Sequence, residues 1–457
     1  MELSISKSRI GVDKFSQKST LSRAFSITML GVLVSAYFFP FEFTFLPEGL
    51  NTKVFLAALG IPMFGYYCLK QRAIKVNSYF LAAIIIAVLF SLIGYVSVEI
   101  NNSQDLSYAN YVISFSTWVL AGFALCIILE YVHGYLNFEL LFNYLIAVCV
   151  AQCILALLID YNPAVKNWVD AYISQAPVAK TEFLNKVNRL YGIGAAVDVA
   201  GTRFSIVLLG LAAILNSFKN SNNKMQNVAM YWFAFMFIAV VGNMISRTTL
   251  VGVLLALTYL GLTSNFLREN LTTFKLKYLL IIVGVSCILV MIAMFLYQTN
   301  GEVRDQLRFA FEGFFNWIEK GKWYTSSTDR LNSVMWIWPE SNDLKTWLIG
   351  KATFDNWHAV GTDIGYCRFV FYNGLLGLIT FSLFFVFNAW ACNKLIPGYT
   401  LFFVFLLALS FIIWLKVATD LFIIYALFYN LALLPRHSYK LGQYKLGQNT
   451  GGEIGAT

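Results

Sequence analysis

The chain has 457 residues, of which 58% are hydrophobic and only 12% are charged, and its formal net charge is +9. Soluble domains carry about 25% charged residues, so this chain has too little polar surface to cover a water-soluble globule of its length. The composition excludes an ordinary soluble protein. It also makes orientation in a membrane a better explanation of the positive charge than binding of nucleic acid.

Apolar runs recur along the whole chain, and a helix needs about 20 apolar residues to cross the hydrocarbon core. The runs cover residues 24–39, 54–69, 79–98, 111–129, 140–159, 204–218, 228–245, 250–262, 278–297, 369–391, 400–415 and 421–434. They predict an all-α, polytopic integral membrane helical bundle with about twelve transmembrane helices. Only four residues separate the seventh run from the eighth, so the count is least certain there.

Three parts of the chain follow from these runs. Residues 1–23 form a polar N-terminal segment that leads straight into a span, so we expect no cleavable signal peptide. Residues 24–434 form the transmembrane domain, and residues 435–457 form a tail that we expect to be disordered. The seven cysteines lie in or at the edges of apolar runs, without metal-ligand spacing, and are expected to be small buried hydrophobes.

Lysine and arginine are distributed unequally between the two ends of the spans. The termini and the loops on the same side of the membrane as the N-terminus contain seventeen of these residues. The short loops on the opposite side of the membrane contain only Lys53, Arg247 and Lys416. By the positive-inside rule both termini are cytoplasmic. Two long segments, at about 160–203 and 298–368, then lie on the outer side.

Both long segments contain amphipathic helical patterns. Leu307, Phe311, Phe314 and Ile318 recur at helical spacing before Gly321, which indicates a helix on the membrane surface. A second helix is predicted to begin at the Ser327-Thr328-Asp329 cluster and to end at Pro339, with Leu331, Val334, Met335 and Trp338 on one face. A similar pattern surrounds Trp168, Val169, Tyr172 and Ile173.

Five arginines are placed at the outer ends of the spans or in these loops: Arg189, Arg203, Arg247, Arg330 and Arg368. Arginine forms fixed bidentate hydrogen bonds to phosphate and keeps its charge, so such a set suits a diphosphate ligand. Anchoring to lipid headgroups is the alternative for any one of them. Arg247 is the strongest candidate, because a charged group held in a tight turn between two apolar helices usually has a partner or a ligand.

A second candidate group lies just before the tenth span. His358 or Asp363 is able to accept a proton from a hydroxyl near the membrane surface, although Asp363 is equally suited to be the N-cap of that span. Lys416 and Asp420 are interpreted as an exposed pair in the last outer loop. The sequence contains no metal-binding or nucleotide-binding motif, so we expect no metal and no cofactor.

Several short motifs occur in a fixed order relative to the spans. They are Arg189-Leu190-Tyr191-Gly192 with Gly201, Gly242-Asn243-Met244-Ile245-Ser246-Arg247-Thr248, Asp329-Arg330, Leu348-Ile349-Gly350, Thr362-Asp363-Ile364-Gly365-Tyr366 and Gly374-Leu375-Leu376-Gly377. In these motifs and in its topology the chain resembles the O-antigen polymerases (Wzy type) of the O-antigen ligase/polymerase superfamily. The likeness covers residues 185–380.

The resemblance implies a metal-independent, inverting glycosyltransferase with a GT-C-like fold in the bacterial inner membrane, with its active site facing the periplasm. It implies transfer of a glycan chain from undecaprenyl pyrophosphate to the next lipid-linked repeat unit, with a chain-length-regulating copolymerase as a partner. Arg189, Arg203, Arg247 and Arg330 would hold the donor diphosphate. Asp363 or His358 would activate the acceptor, and Tyr366 and Tyr191 would line the pocket.

Two alternatives share this topology. An O-antigen ligase would use the same donor with lipid A-core as acceptor, but the ligases typically have a His-Asn pair where His358 is followed by Ala359. A polysaccharide transporter or flippase usually carries ionisable groups in the middle of its spans. Here these groups cluster at the outer face and in the loops, which favours the enzyme.

Overall fold

The structure is a computed structural model, and it describes residues 20–71, 77–175, 184, 189–218, 225–263 and 273–434. Most of the predicted N-terminal segment and the whole predicted tail lie outside these residues. Residues 20–23, which we assigned to that segment, already belong to the first helix.

Helices make up most of the described chain. In order, the elements are α1 (Thr20–Phe38), β1 (Glu42–Phe43), α2 (Thr52–Gln71), α3 (Ser78–Asn101), α4 (Tyr111–His133), α5 (Phe138–Tyr161), α6 (Pro163–Tyr172), β2 (Ile173–Ser174), α7 (Val197–Phe218), α8 (Met225–Ile245), α9 (Thr249–Thr263), α10 (Thr273–Thr299), α11 (Gly301–Ala310), α12 (Glu312–Lys320), α13 (Ser326–Arg330), α14 (Leu344–Leu348), α15 (Trp357–Val360), α16 (Gly365–Leu395), α17 (Thr400–Trp414) and α18 (Phe422–Leu433).

Each predicted apolar run coincides with one helix. Within the described residues, nine helices are long and apolar enough to cross a membrane. The other three, α9, α17 and α18, have 15, 15 and 12 residues, which is less than the about 20 that a crossing needs. The protein is therefore an all-α, multi-pass membrane protein.

At one end of the bundle, the loops that follow alternate spans contact one another. The strands β1 and β2 pair antiparallel and connect the α1–α2 loop to the segment after α6. The Ser107 hydroxyl donates to Asp355 across 2.8 Å, and the Asn243 amide donates to the Ala310 carbonyl across 2.7 Å. We call this the loop-rich end. It contains the described parts of both long segments identified in the sequence, as alternating spans require.

The amphipathic helices are present, with different bounds from those predicted. The first is divided into α11 and α12 at Phe311 and ends at Gly321, whose φ of 66° suits glycine. The second begins two residues earlier than predicted, because Thr325 and not Ser327 is its N-cap, and after one π-helical turn it ends at Met335. The pattern around Trp168 forms α6, with Val169 buried.

A break inside α16 explains two of the glycine motifs. Gly374 has a φ of 63°, which interrupts the helix and exposes carbonyls of the preceding turn. The backbone N–H groups of Lys351 and Ala352 donate to the carbonyls of Phe371 and Tyr372 there. A Cβ on Gly350 would lie 2.3 Å from the Tyr372 carbonyl oxygen. The Leu348–Gly350 and Gly374 motifs are therefore two sides of one close contact.

The helix α7 lies at the centre of the bundle. Its apolar window is 83% buried, whereas the window of α10 is 0% buried. Such close helix packing in a membrane requires small residues at the crossing points. Gly252 of α9 is one of these, because a Cβ there would lie 2.3 Å from the Cα of Ser205 on α7.

Replacing Gly252 by alanine is expected to lower the free energy of unfolding by about 1–3 kcal/mol, because two packed backbones must move apart. Gly261→Ala is the matched control on the same helix, where a Cβ would meet nothing within 4 Å. Thermal unfolding of the purified protein in detergent measures both. Equal midpoints for the two variants would show that α7 and α9 do not pack as closely as described.

Candidate functional site

The Ser246-Arg247-Thr248 turn between α8 and α9 is held by a carboxylate that the sequence analysis did not single out. Asp198, in the first turn of α7, accepts hydrogen bonds from the hydroxyls of Ser246 (3.2 Å) and Thr248 (2.6 Å). The Lys416 ammonium donates to the same oxygen at 2.7 Å and to the Thr248 hydroxyl at 3.0 Å. Both neighbours of Arg247 are therefore fixed, and with them the direction in which its guanidinium leaves the turn.

The Arg247 guanidinium is directed towards the amphipathic helices. Its Nη1 lies 2.7 Å from a Glu312 carboxylate oxygen, and the Arg247 side chain is 14% exposed. The guanidinium carbon lies 4.0 Å from the ring centroid of Phe309. The buried Nε has no hydrogen-bond partner among the described residues. Burial lowers the pKa of Arg247; Glu312 opposes this shift, and Arg189 adds to it.

Glu312 also organises the start of α13. Its two carboxylate oxygens accept hydrogen bonds from the backbone N–H and the hydroxyl of Ser326. Arg247 Nη1 lies 3.5 Å from the hydroxyl of Ser327, the next residue. Arg330, at the end of the same short helix, is exposed. The structure thus brings the helix that carries Arg330 against Arg247.

Arg189 approaches the same aromatic ring as Arg247. Its guanidinium carbon lies 5.4 Å from the centroid of the Phe309 ring. The distance between the guanidinium carbons of Arg189 and Arg247 is therefore no greater than the sum of their two distances to this centroid. Arg189 also lines a cavity of about 410 Å³. The lining residues are Asp160, Lys166, Leu184, Arg189, Leu190, Met244, Glu302, Asp305, Gln306 and Phe309. Three carboxylates thus line this cavity together with two cations, Lys166 and Arg189.

The glycines after Arg189 are explained by close contacts. The amide of Gln152, a residue of α5, both accepts from the Ile193 N–H and donates to the Ile193 carbonyl, each across 2.9 Å. A Cβ on Gly192 would lie 2.3 Å from the Gln152 amide oxygen. Gly194 has a φ of 70° and lies against the Phe39 carbonyl. These contacts fix the segment that presents Arg189.

Arg203 lies elsewhere. It lines a separate cavity of about 100 Å³ with Asp420 and lies over the Phe39 ring, with its guanidinium carbon 5.5 Å from the centroid. The prediction that Arg203 joins Arg189, Arg247 and Arg330 in one group does not match this placement. Arg203 is the seventh residue of α7, so it lies one to two turns below the end at which Asp198 holds the Ser-Arg-Thr turn.

His358 and Asp363 lie together on the short segment around α15. The Asp363 carboxylate accepts a hydrogen bond from the Trp357 indole at 2.7 Å, and His358 is exposed. The alternative role of Asp363 as an N-cap is wrong, because Ile364 is the N-cap of α16 and no side chain caps that helix.

The helix that begins at Ser326 links this group to the arginines. Its first turn reaches Arg247 through Ser327, and at its other end the Met335 carbonyl accepts a hydrogen bond from the Thr362 hydroxyl. Residues 327 and 335 are separated by about 12 Å at about 1.5 Å per residue. The two candidate groups are therefore neighbours at the loop-rich end but not in contact.

The two tyrosines have structural partners. The Tyr366 hydroxyl donates to the Phe411 carbonyl at 3.0 Å, and the Tyr191 hydroxyl donates to the Asp170 carboxylate at 2.7 Å. Burial raises the pKa of Tyr191, and the hydrogen bond to Asp170 raises it further. Tyr191 is next to the large cavity through its neighbour Leu190, whereas Tyr366 packs on α17.

The interpretation of Lys416 and Asp420 as an exposed pair is wrong. Lys416 instead forms its ion pair with Asp198. Asp420 accepts a hydrogen bond at 2.9 Å from the N–H of Phe422, the first residue of α18. Burial raises the pKa of Asp420, and the Phe422 N–H and the cations of Lys53 and Arg203 oppose the shift only in part.

A carboxylate also fixes the segment that carries His358. Asp105, between α3 and α4, accepts hydrogen bonds from the N–H groups of Phe354 and Asp355 and from the backbone and hydroxyl of Ser107. Burial acts to raise the pKa of Asp105, but these hydrogen bonds outweigh it and hold the pKa below its ordinary value.

The described residues contain no group of three or more His, Cys, Asp or Glu placed to hold a metal ion. The chain matches no protein-family model, no curated protein and no solved structure in comparisons with known proteins.

A double-mutant cycle of Arg247→Gln and Glu312→Gln is expected to give a coupling energy of about 0.5–3 kcal/mol, because the pair is largely shielded from water. The matched control is Arg308 with Glu319, a pair of similar length (2.8 Å) whose side chains are 41% and 40% exposed. Its coupling should be smaller, since solvent screens exposed pairs. Unfolding in detergent measures both cycles, and a coupling at Arg247 no larger than the control would contradict the described contact.

Asp105→Asn is expected to speed amide hydrogen exchange of residues 352–358 at neutral pH. A carboxyl with a lowered pKa in the folded state stabilises above its ordinary pKa of 3.8, and this contribution is lost as the pH falls through the lowered value. The difference between wild type and variant should therefore vanish in strong acid, where both side chains are neutral.

Asp305→Asn, an exposed carboxyl outside this contact, is the control and should exchange like the wild type at every pH. A difference between Asp105→Asn and wild type that persists unchanged in acid would mean that the charge of Asp105 is not what holds the loop.

Proposed function

We propose that this protein is an O-antigen or surface-polysaccharide polymerase of the bacterial inner membrane. It transfers a glycan chain from undecaprenyl pyrophosphate to the next lipid-linked repeat unit at the periplasmic face. A hydroxyl of the acceptor attacks the anomeric carbon of the donor, the bond from that carbon to the diphosphate oxygen breaks, and the electron pair leaves with the diphosphate. The hydroxyl proton passes to a base of the protein.

The observation that carries this proposal is the convergence of Arg189 and Arg247 on one phenylalanine ring beside a cavity of about 410 Å³. Two guanidinium groups in fixed positions suit the two phosphates of a diphosphate and stabilise the charge that develops on it as it leaves. Arg247 is held by Glu312, so we propose that the diphosphate takes the place of this carboxylate. The unpartnered Nε of Arg247 supplies a further donor.

The acceptor would bind towards α15. His358 and Asp363 lie near the Met335 end of the helical segment that begins at Ser326, about 12 Å along it from the end that contacts Arg247. We propose that a sugar occupies this interval between the diphosphate and the base. The Trp357 indole orients Asp363, which makes it the better-placed base. His358 is exposed and would contact the more distant part of the acceptor.

The surroundings of the site suit a substrate with a lipid tail. Phe314, Trp317 and Ile318 of α12 are exposed, as expected for a helix that lies on the surface of the bilayer. We further propose that the protein has twelve spans in a GT-C-like fold, that both termini are cytoplasmic, and that a copolymerase partner sets the chain length.

Deletion of the gene, scored by lipopolysaccharide gel, tests the assignment. A polymerase deletion is expected to leave core carrying a single repeat unit, because one unit is still made and ligated. Loss of all O-antigen from core, with accumulation of lipid-linked polymer, would instead indicate a ligase. An unchanged ladder would contradict both enzymes.

Complementation of the deletion tests the site. Arg247→Ala, Arg247→Lys and Arg330→Ala are expected to abolish long polymer at normal protein levels, and lysine should fail because it is a point charge without the bidentate geometry. Arg304→Gln is the control, an exposed arginine on α11, and should complement fully. A normal ladder from Arg247→Ala and from Arg330→Ala would rule out the diphosphate role.

A further inference from the structure

The small cavity at Arg203 is separate from the proposed diphosphate site. Its volume is about 100 Å³, and its lining comes from α4, α7, α18 and the loop before α18. The lining residues are Trp118, Val199, Thr202, Arg203, Ile206, Thr419, Asp420, Leu421 and Ile423. All of these side chains are buried or partly buried. A polar group of several atoms fits such a space, since one water needs about 10–15 Å³.

Arg203 is the most unusual residue of this cavity. It is 8% exposed, and its buried Nη1 has no hydrogen-bond partner among the described residues. A buried guanidinium without a partner is costly, because its desolvation is not compensated. Lipid anchoring does not explain it, since an anchoring arginine extends to the headgroups and Arg203 is enclosed.

The charges around the cavity do not balance. Lys53, whose ammonium lies 4.5 Å from the centroid of the Trp118 ring, and Arg203 both act on the Asp420 carboxyl. In the described part of the chain, neither cation forms an ion pair with Asp420 within 4.0 Å. Arg203 and Asp420 thus line the open space, and Lys53 lies against Trp118, which forms one of its walls.

We propose that this cavity binds one small oxyanion, the phosphate or carboxylate class, with Arg203 as the principal donor and Lys53 as the second cation. The Thr202 side chain lies next to the same space. Asp420 opposes the charge of the ligand and thereby limits its affinity. This inference goes beyond the proposed function, because it needs neither the diphosphate at Arg247 nor glycosyl transfer.

The test uses the full chain purified in detergent, with inorganic phosphate as the probe at constant ionic strength. The Arg189→Gln background removes the response of the large cavity. In this background, phosphate is expected to raise the thermal unfolding midpoint, and Arg203→Gln should weaken the apparent affinity by about tenfold or more, the value of hydrogen bonds to a charged group. Arg304→Gln is the control and should leave the affinity unchanged.

A second variant separates binding from folding. Asp420→Asn removes the opposing charge and is expected to tighten phosphate binding by about a hundredfold or more, as for a unit charge a few ångströms away at the effective dielectric of a protein. If Asp420 had only a structural role, Asp420→Asn would change the thermal unfolding midpoint measured without phosphate but would not change the affinity for phosphate. Equal phosphate affinities in the parent, Arg203→Gln and Asp420→Asn would overturn the proposal, as would the absence of any phosphate response in the parent and in Asp420→Asn.

Native mass spectrometry then distinguishes the sources of the oxyanion. A phosphorylated lipid retained by the wild type and lost from Arg203→Gln identifies a headgroup as the ligand, whereas a phosphate response without retained lipid identifies the free ion. Both outcomes support the site. Failure of the Arg247 variants to lose polymer would leave this inference intact, because the two cavities share no lining residue.

Discussion

The Asp198 carboxylate is the interaction on which the loop-rich end depends. It accepts hydrogen bonds from both hydroxyls of the Ser-Arg-Thr turn and from Lys416. A carboxylate at the end of an apolar helix is stable only when its charge is matched and its oxygens are bonded. Meeting this requirement ties the first turn of α7 to the α8–α9 turn and to the loop before α18. Three segments that are distant in the sequence are thus held at one point.

The position of Arg247 follows from this constraint, and the small residues of α7 make it sterically possible. A Cβ on Gly201 would lie 2.5 Å from the Ser246 hydroxyl, so α7 and the turn meet without an intervening side chain. With the turn fixed, Arg247 reaches Glu312 and Phe309. The amphipathic helices are thereby held against the bundle by a charge rather than only by their apolar faces.

The same helix contacts the Ser-Arg-Thr turn and also lines the small cavity. Asp198 and Arg203 are five residues apart, which places them about 140° apart around a helix with about 3.6 residues per turn. Asp198 therefore faces the Ser-Arg-Thr turn, and Arg203 faces α4 and α18. One helix thus holds the turn that carries Arg247 through Asp198 and lines the small cavity with Arg203.

The sequence predicted the helices well, because each span is a run of consecutive apolar residues that is visible without knowledge of the fold. It also predicted that the arginine-bearing loops share one end, since alternating spans require this. It gave the wrong partner for Lys416, because Asp420 is close in the sequence whereas Asp198 is 218 residues away. Hydrophobic periodicity carries no information about which loops meet, so Glu312, Phe309 and Asp105 were also missed. A carboxylate in the first turn of an apolar helix was the one local signal that could have identified Asp198.

For a related reason, the sequence could not predict that Arg203 lies apart from Arg189 and Arg247. Arg189, Arg203 and Arg247 all lie near the outer ends of spans, and their assignment to one ligand was the simplest interpretation. Their directions depend on helix rotation and on close contacts such as Gly192 against Gln152. These are properties of the packed bundle, and no residue pattern encodes them locally.

The most direct test of the account is a structure of the protein determined by electron cryomicroscopy with undecaprenyl diphosphate bound. The account predicts density for the two phosphates within hydrogen-bond distance of Arg189 and Arg247, with the Glu312 carboxylate moved away from Arg247. Diphosphate density at another place, with the Arg247–Glu312 ion pair intact, would contradict it.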